Sequence, residues 1–202
     1  LEAEIGQMRC NYQLNNYQGA IANAFITLEE DKIDQNIKTE ANLIIAKSNL
    51  KLESPVEAMA YLDKVMASGA PSQSAEAIYL KARVQFNMDA LDSAEALVFQ
   101  LVETYQSQSY WLGKSLLLLS DIYMTRGDLF QAKATLQSIL DNYTKDDDVK
   151  VLAEEKLKTV EELENAPVEE EVIEFEIELN QSDSEEQNDV DTQSPNNPDD
   201  NE

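Results

Sequence analysis

Three cations recur at a nearly constant interval: Arg9, Lys47 and Arg83 stand 38 and 36 residues apart, and the next position in the series is Asp121. Three residues beyond each lie Tyr12, Leu50, Phe86 and Met124; four residues before lie Ile5, Leu43, Tyr79 and Leu117. A basic row between aromatic and aliphatic rows can do one kind of chemistry well, which is recognition. Guanidinium and ammonium groups bind carboxylates through charge-assisted hydrogen bonds, and apolar neighbours supply the anchoring surface. Only 15 of 202 residues are basic, so three at one offset are suggestive. Ordinary solvated helix surface is the alternative, and both readings stay open at this point.

Catalysis has little to draw on. The chain has no histidine, hence neither the commonest general base nor the commonest metal ligand. Its five glycines include no closely spaced pair that could cradle a phosphate. Asp146-Asp147-Asp148 lacks the spaced ligands and the glycine of a calcium loop, and reads as the start of a helix. With 40 acidic residues in the chain, two neighbouring carboxylates say nothing about acid–base work. Cys10 is the only thiol, which excludes an intrachain disulfide, and it is expected to be a small buried packing residue on the first helix. The expectation is a protein that is not an enzyme and that carries no cofactor and no metal.

The elements that must position the basic row follow from four alanines, Ala20, Ala58, Ala94 and Ala132, spaced by 38, 36 and 38 residues. Apolar residues follow each at helical intervals. Twelve residues before them stand Ala46, Ala82 and Ser120, small enough for two helices to cross closely; Met8 is the exception and suggests a first unit shaped to pack on a preceding repeat. A period in the high thirties signals a helical repeat array. Helices are predicted near 2–14, 17–30, 37–52, 55–68, 74–88, 91–105, 109–126 and 129–143, with a ninth over 148–164. Turns fall at Asn15-Asn16, Ser54-Pro55, Asp89-Ala90 and Gly127-Asp128, and Gly69 to Ser72 separates the second unit from the third.

The fourth unit reads Leu116, Leu119, Ser120, Tyr123, Gly127-Asp128, Ala132, Leu136. This resembles the tetratricopeptide repeat, whose first helix carries large, large, small and aromatic residues before a Gly-Asp turn and an alanine-led second helix. The resemblance covers residues 1–143 and weakens toward the first unit. It implies an all-α fold, an α-solenoid of about four helical hairpins, in which the first helix of each unit lines a groove. Arg9, Lys47, Arg83, Tyr12, Leu50, Phe86, Met124 and Tyr79 would then face a bound partner. HEAT and Sel1 arrays and a plain helical bundle are the alternatives. The chaperone-binding members have asparagine where Arg9 stands, so recognition of chaperone C-termini is not implied. Trp111-Leu112-Gly113 through Asp141-Asn142-Tyr143 is also similar to the C-terminal end of long tetratricopeptide proteins of Bacteroidota. That similarity implies a bacterial cell-envelope setting, with the cytoplasm as the alternative.

Charge divides the chain further. Residues 165–202 hold 14 acidic and no basic residues, which leaves a net −11 on the first 164 out of −25 overall. This balance disfavours nucleic acid, whose binding needs a dense basic surface, and anionic membranes likewise. No apolar run approaches the ~20 residues of a membrane-spanning helix. The expected organisation is a repeat array over 1–143, a capping helix within 144–166 and an acidic, mostly disordered tail over 167–202. Within that tail Phe175, Ile177 and Leu179 alternate with acids, as in a strand or a docking segment. The chain reads as part of something longer and as a protein–protein scaffold or adaptor that could join a larger assembly. The alternatives are a spacer within a longer solenoid and an accessory subunit of an enzyme encoded elsewhere.

Overall fold

Nine helices make up most of the described residues, 1–166, of the computed structural model: α1 Glu2–Gln13, α2 Tyr17–Leu28, α3 Gln35–Lys51, α4 Pro55–Met66, α5 Pro71–Asn87, α6 Leu91–Thr104, α7 Ser109–Thr125, α8 Leu129–Asn142 and α9 Asp148–Glu164. The fold of this part is all-helical. The alternating stretch 168–179 and the rest of the acidic tail lie outside the described residues.

Each helix packs against its neighbours in sequence. The odd-numbered helices also pack on one another, α1 on α3, α3 on α5, α5 on α7 and α7 on α9, whereas no two even-numbered helices bring their backbones together, although the rings of Phe25 on α2 and Tyr61 on α4 meet edge to face at 6.0 Å. The cores follow this order. One cluster joins Ile5, Met8, Ala20 and Ala24 to Ala41, Ile44 and Ile45 of α3. The next joins Leu43, Ala46, Leu62 and Val65 to Ala77 of α5. A third carries Ile78, Ala82, Ala94 and Leu101 across to Leu118, Leu119 and Ile122 of α7. In the last, Leu117, Ala132, Leu136 and Ile139 meet Val149, Ala153 and Val160 of α9. Each hairpin therefore completes its apolar core with the first helix after it. The four periodic alanines are wholly buried, as are Ala46, Ala82 and Ser120. Met8 is wholly buried too, among residues of α1, α2 and α3, so its size needs no repeat before it.

The turn inside each hairpin is one structure built four times. Asn15, Glu53, Asp89 and Gly127, each five residues before its alanine, have φ of 60°, 57°, 60° and 76°. The N–H of the following residue returns to a carbonyl five back: Asn16 to Asn11 at 2.8 Å, and Ser54 to Asn49, Ala90 to Gln85 and Asp128 to Tyr123 at 2.9 Å each. This is the Schellman closure, with its left-handed residue at the helix end. Only the fourth unit places glycine there, although the left-handed region disfavours a side chain such as that of Glu53. Asn16 and Asp128 then cap the next helix through Gly19 N–H and Gln131 N–H.

Two helix starts differ from the sequence reading, and α2 and α4 each end two residues sooner than expected. Pro71 opens α5 at a position where its missing N–H has no helical partner to lose, rather than standing past the end of α4; Gly69, at φ 75°, is the residue that turns the chain. Asp34 starts α3 two residues earlier than expected by capping Asn36 N–H at 2.8 Å. Cys10 is exposed, against the expectation of a packed thiol. Its counterparts Ser48, Val84 and Ile122 are buried, and each lies on a helix that follows an earlier hairpin. On α1 no other described helix covers that face.

Candidate functional site

The basic row lies on odd-numbered helices, but its members are not equivalent. Arg9 on α1 forms a two-pronged pair with Glu40 on α3, both contacts 2.6 Å. Lys47 on α3 donates to Glu76 on α5 at 2.7 Å. Burial alone would lower the Lys47 ammonium, but the Glu76 hydrogen bond and charge, with Tyr12 beside them, hold it above the ordinary lysine value. Glu40 and Glu76 each lie eighteen residues before the alanine of their unit, and the same position in the fourth unit is Lys114. The acid that would match Arg83 is therefore replaced by a cation. Among the described residues Arg83 has no ion pair; it is exposed, with its guanidinium 5.8 Å from the Tyr79 ring centroid. The next step of the row is inverted: Asp121 on α7 pairs with Lys156 on α9.

Two clefts open along the odd-numbered helices. The larger, about 440 Å³, runs from Tyr12 across Lys47, Leu50 and Pro55 to Leu80, Arg83 and Met88. The second, about 250 Å³, is walled by Tyr79, Phe86, Leu117, Leu118 and Leu152 and carries Arg83, Lys114, Asp121 and Lys156. Arg83 borders both. Of the residues expected to face a partner, the first cleft gathers Tyr12, Lys47, Leu50 and Arg83, and the second gathers Tyr79, Arg83 and Phe86. Arg9 and Met124 line neither. Arg9 is turned to Glu40, and Met124 packs against the cluster around Ala132.

An aromatic group backs the second cleft. Trp111, the only tryptophan, lies 5.5 Å from Tyr79 and 5.0 Å from Tyr110, the latter edge to face. Lys114 leaves α7 here, 6.0 Å from the Tyr110 ring centroid, and bonds Asp148 at the start of α9 at 2.9 Å. Burial works against the Lys114 ammonium, but the Asp148 bond and charge, with Tyr79 and Tyr110 beside them, together hold the lysine above its ordinary value; the same bond holds the Asp148 carboxyl below its own.

The sequence reading missed Lys114, Lys156 and Leu152. The signal for Lys114 was present at offset eighteen, where Glu40, Glu76 and Lys114 break sign. Leu152 and Lys156 belong to α9, which was read as a cap, yet it supplies one wall of the second cleft. Gly113 lets α9 come so near. A Cβ there would lie 2.8 Å from Val149 and 3.0 Å from the Tyr143 ring, whose hydroxyl bonds Asp147 at 2.5 Å and so fixes the approach to α9.

Among the described residues no cluster of His, Cys, Asp or Glu is placed to hold a metal ion, and no helix is long and apolar enough to cross a membrane. No protein-family model, curated protein or solved structure matches the chain.

Proposed function

We propose that residues 1–166 form an α-solenoid of tetratricopeptide type, and that the chain is a scaffold or adaptor that holds a segment of a partner protein against its odd-numbered helices. One observation carries this reading: the odd-numbered helices make a continuous layer, and its two clefts meet at an arginine that no acid among the described residues neutralises. Apolar walls with a few convergent polar groups suit a peptide or a helix, whereas no residue set there could bring a nucleophile and a base together. Tyrosine, tryptophan and arginine are also the residues that most often carry binding energy at protein interfaces.

A second reading has support in the first half of the array. Arg9 and Lys47 are tied to the following hairpin, which is what a spacer within a longer solenoid would need for stiffness. The two readings part in a photocrosslinking experiment. A benzoylphenylalanine in place of Phe86, on the cleft, is compared with one in place of Phe99, which is exposed on the even-numbered helix α6. The scaffold reading expects a discrete protein adduct from position 86 and none from position 99. Adducts from neither, or from 99 alone, would favour the spacer.

A further inference from the structure

The inter-hairpin pairs repeat with one break. At the first two steps a cation on one odd-numbered helix meets an acid on the next, Arg9 with Glu40 and Lys47 with Glu76. At the third step the acid is absent and Lys114 stands in its place. At the fourth the order is reversed, Asp121 with Lys156. At the third step both positions are thus cations, Arg83 and Lys114, and they line one cleft. Of the three cations on this cleft's lining, Lys156 is paired with Asp121 and Lys114 with Asp148, which leaves Arg83 as the one without an ion pair among the described residues. Beside the cations lie Phe86, Leu117, Leu118 and Leu152.

We infer that this cleft takes an acidic segment of the partner, in extended form. One side-chain carboxylate sits against Arg83, with Lys114, already bonded to Asp148, on the far side, and an apolar side chain next along enters the pocket of Phe86, Leu117 and Leu152. The inference rests on the scaffold reading above and adds to it the chemistry of the ligand. Charge complementarity selects the occupant. A basic segment would face Arg83 and Lys114, and a neutral one would leave the Arg83 guanidinium without the charge-assisted bond that a carboxylate supplies. An internal segment suffices, because the pair needs a side-chain carboxylate and not a chain end.

The single tryptophan reports on the site, since Trp111 touches the Tyr79 ring over which Arg83 lies. The probes are three short peptides blocked at both ends, in which glutamate, glutamine or lysine alternates with leucine. They are titrated into the full 202-residue chain, with Trp111 emission and calorimetry as readouts. The glutamate peptide is expected to bind and to shift the emission. Arg83→Glu, and separately Lys114→Gln, should each weaken it roughly tenfold or more, as loss of a charge-assisted bond implies. Arg83→Lys should restore part of the affinity. Equal binding of the glutamine or lysine peptide at the clefts would overturn the choice of an acidic ligand and leave the scaffold reading standing. Failure of all three peptides to bind would overturn the inference, while the crosslinks from position 86 still decide the scaffold reading by themselves. Arg83 is exposed, so loss of folding is not expected of its variants; circular dichroism of each separates that outcome from loss of the site.

Discussion

The two halves of the helical stack place the same repeat position in opposite surroundings. Around α3, Lys47 is neutralised by Glu76 and half-buried, so its charge is part of the joint between hairpins. Around α5, Arg83 occupies the equivalent position, finds Lys114 where the acid should be, and stays open to solvent. Periodicity alone cannot separate a staple from a contact point. What separates them is the residue at a second offset, on the next hairpin.

The largest expected effect concerns the wall that only the second half possesses. Gly113→Ala puts a methyl group against Val149 and Tyr143, and overpacking of this kind costs roughly 1–3 kcal/mol. Chemical denaturation should show that loss, and hydrogen exchange should show α9 opening while α1 to α4 stay protected. Unchanged protection of α9 would mean that it docks without the close approach at Gly113.

A smaller effect tests whether the halves share their turns. Glu53→Gly and Asp89→Gly relieve a side chain held at positive φ and should each stabilise the chain by about 0.5–1 kcal/mol, whereas Gly127→Ala should destabilise it by a similar amount. Thermal midpoints that do not move in these opposite senses would show that the four turns are not energetically alike.

The smallest effect is a pH dependence confined to the second half. Lys114 holds the folded Asp148 carboxyl below its unfolded value. Such a group contributes stability that is complete above the unfolded value and is lost as pH falls through the folded one. Exchange protection at the start of α9 should therefore decline below about pH 4. In Asp148→Asn that decline should be absent. A decline of the same size in the variant would assign it to other carboxylates.

Much of this was legible in the sequence because close helix crossings demand small residues. The spacing of Ala20, Ala58, Ala94 and Ala132 located the hairpins, and all four are buried. Less legible was the shared left-handed turn, since Asn15, Glu53 and Asp89 stand where a reader looks for glycine. Cys10 was misread because burial depends on a neighbouring hairpin that α1 lacks among the described residues. The basic row was found by counting along single helices, whereas its use depends on partners about thirty residues away, such as Glu40 for Arg9. That separation reaches into the next repeat, so the pairing is legible only with the helices set side by side.

The contrast between Lys47 and Arg83 is open to one paired measurement, charge reversal of each in the full chain, followed by thermal unfolding and by titration with the alternating glutamate peptide. Lys47→Glu sets an acid against Glu76 in a half-buried site and should lower stability by about 1–2 kcal/mol, with the peptide still bound. Arg83→Glu faces Lys114 and should leave the midpoint within about 0.5 kcal/mol of the original while peptide binding is lost. If both variants lose stability alike and both bind the peptide as the unaltered chain does, Arg83 is a staple like Lys47 and the division of the array is wrong.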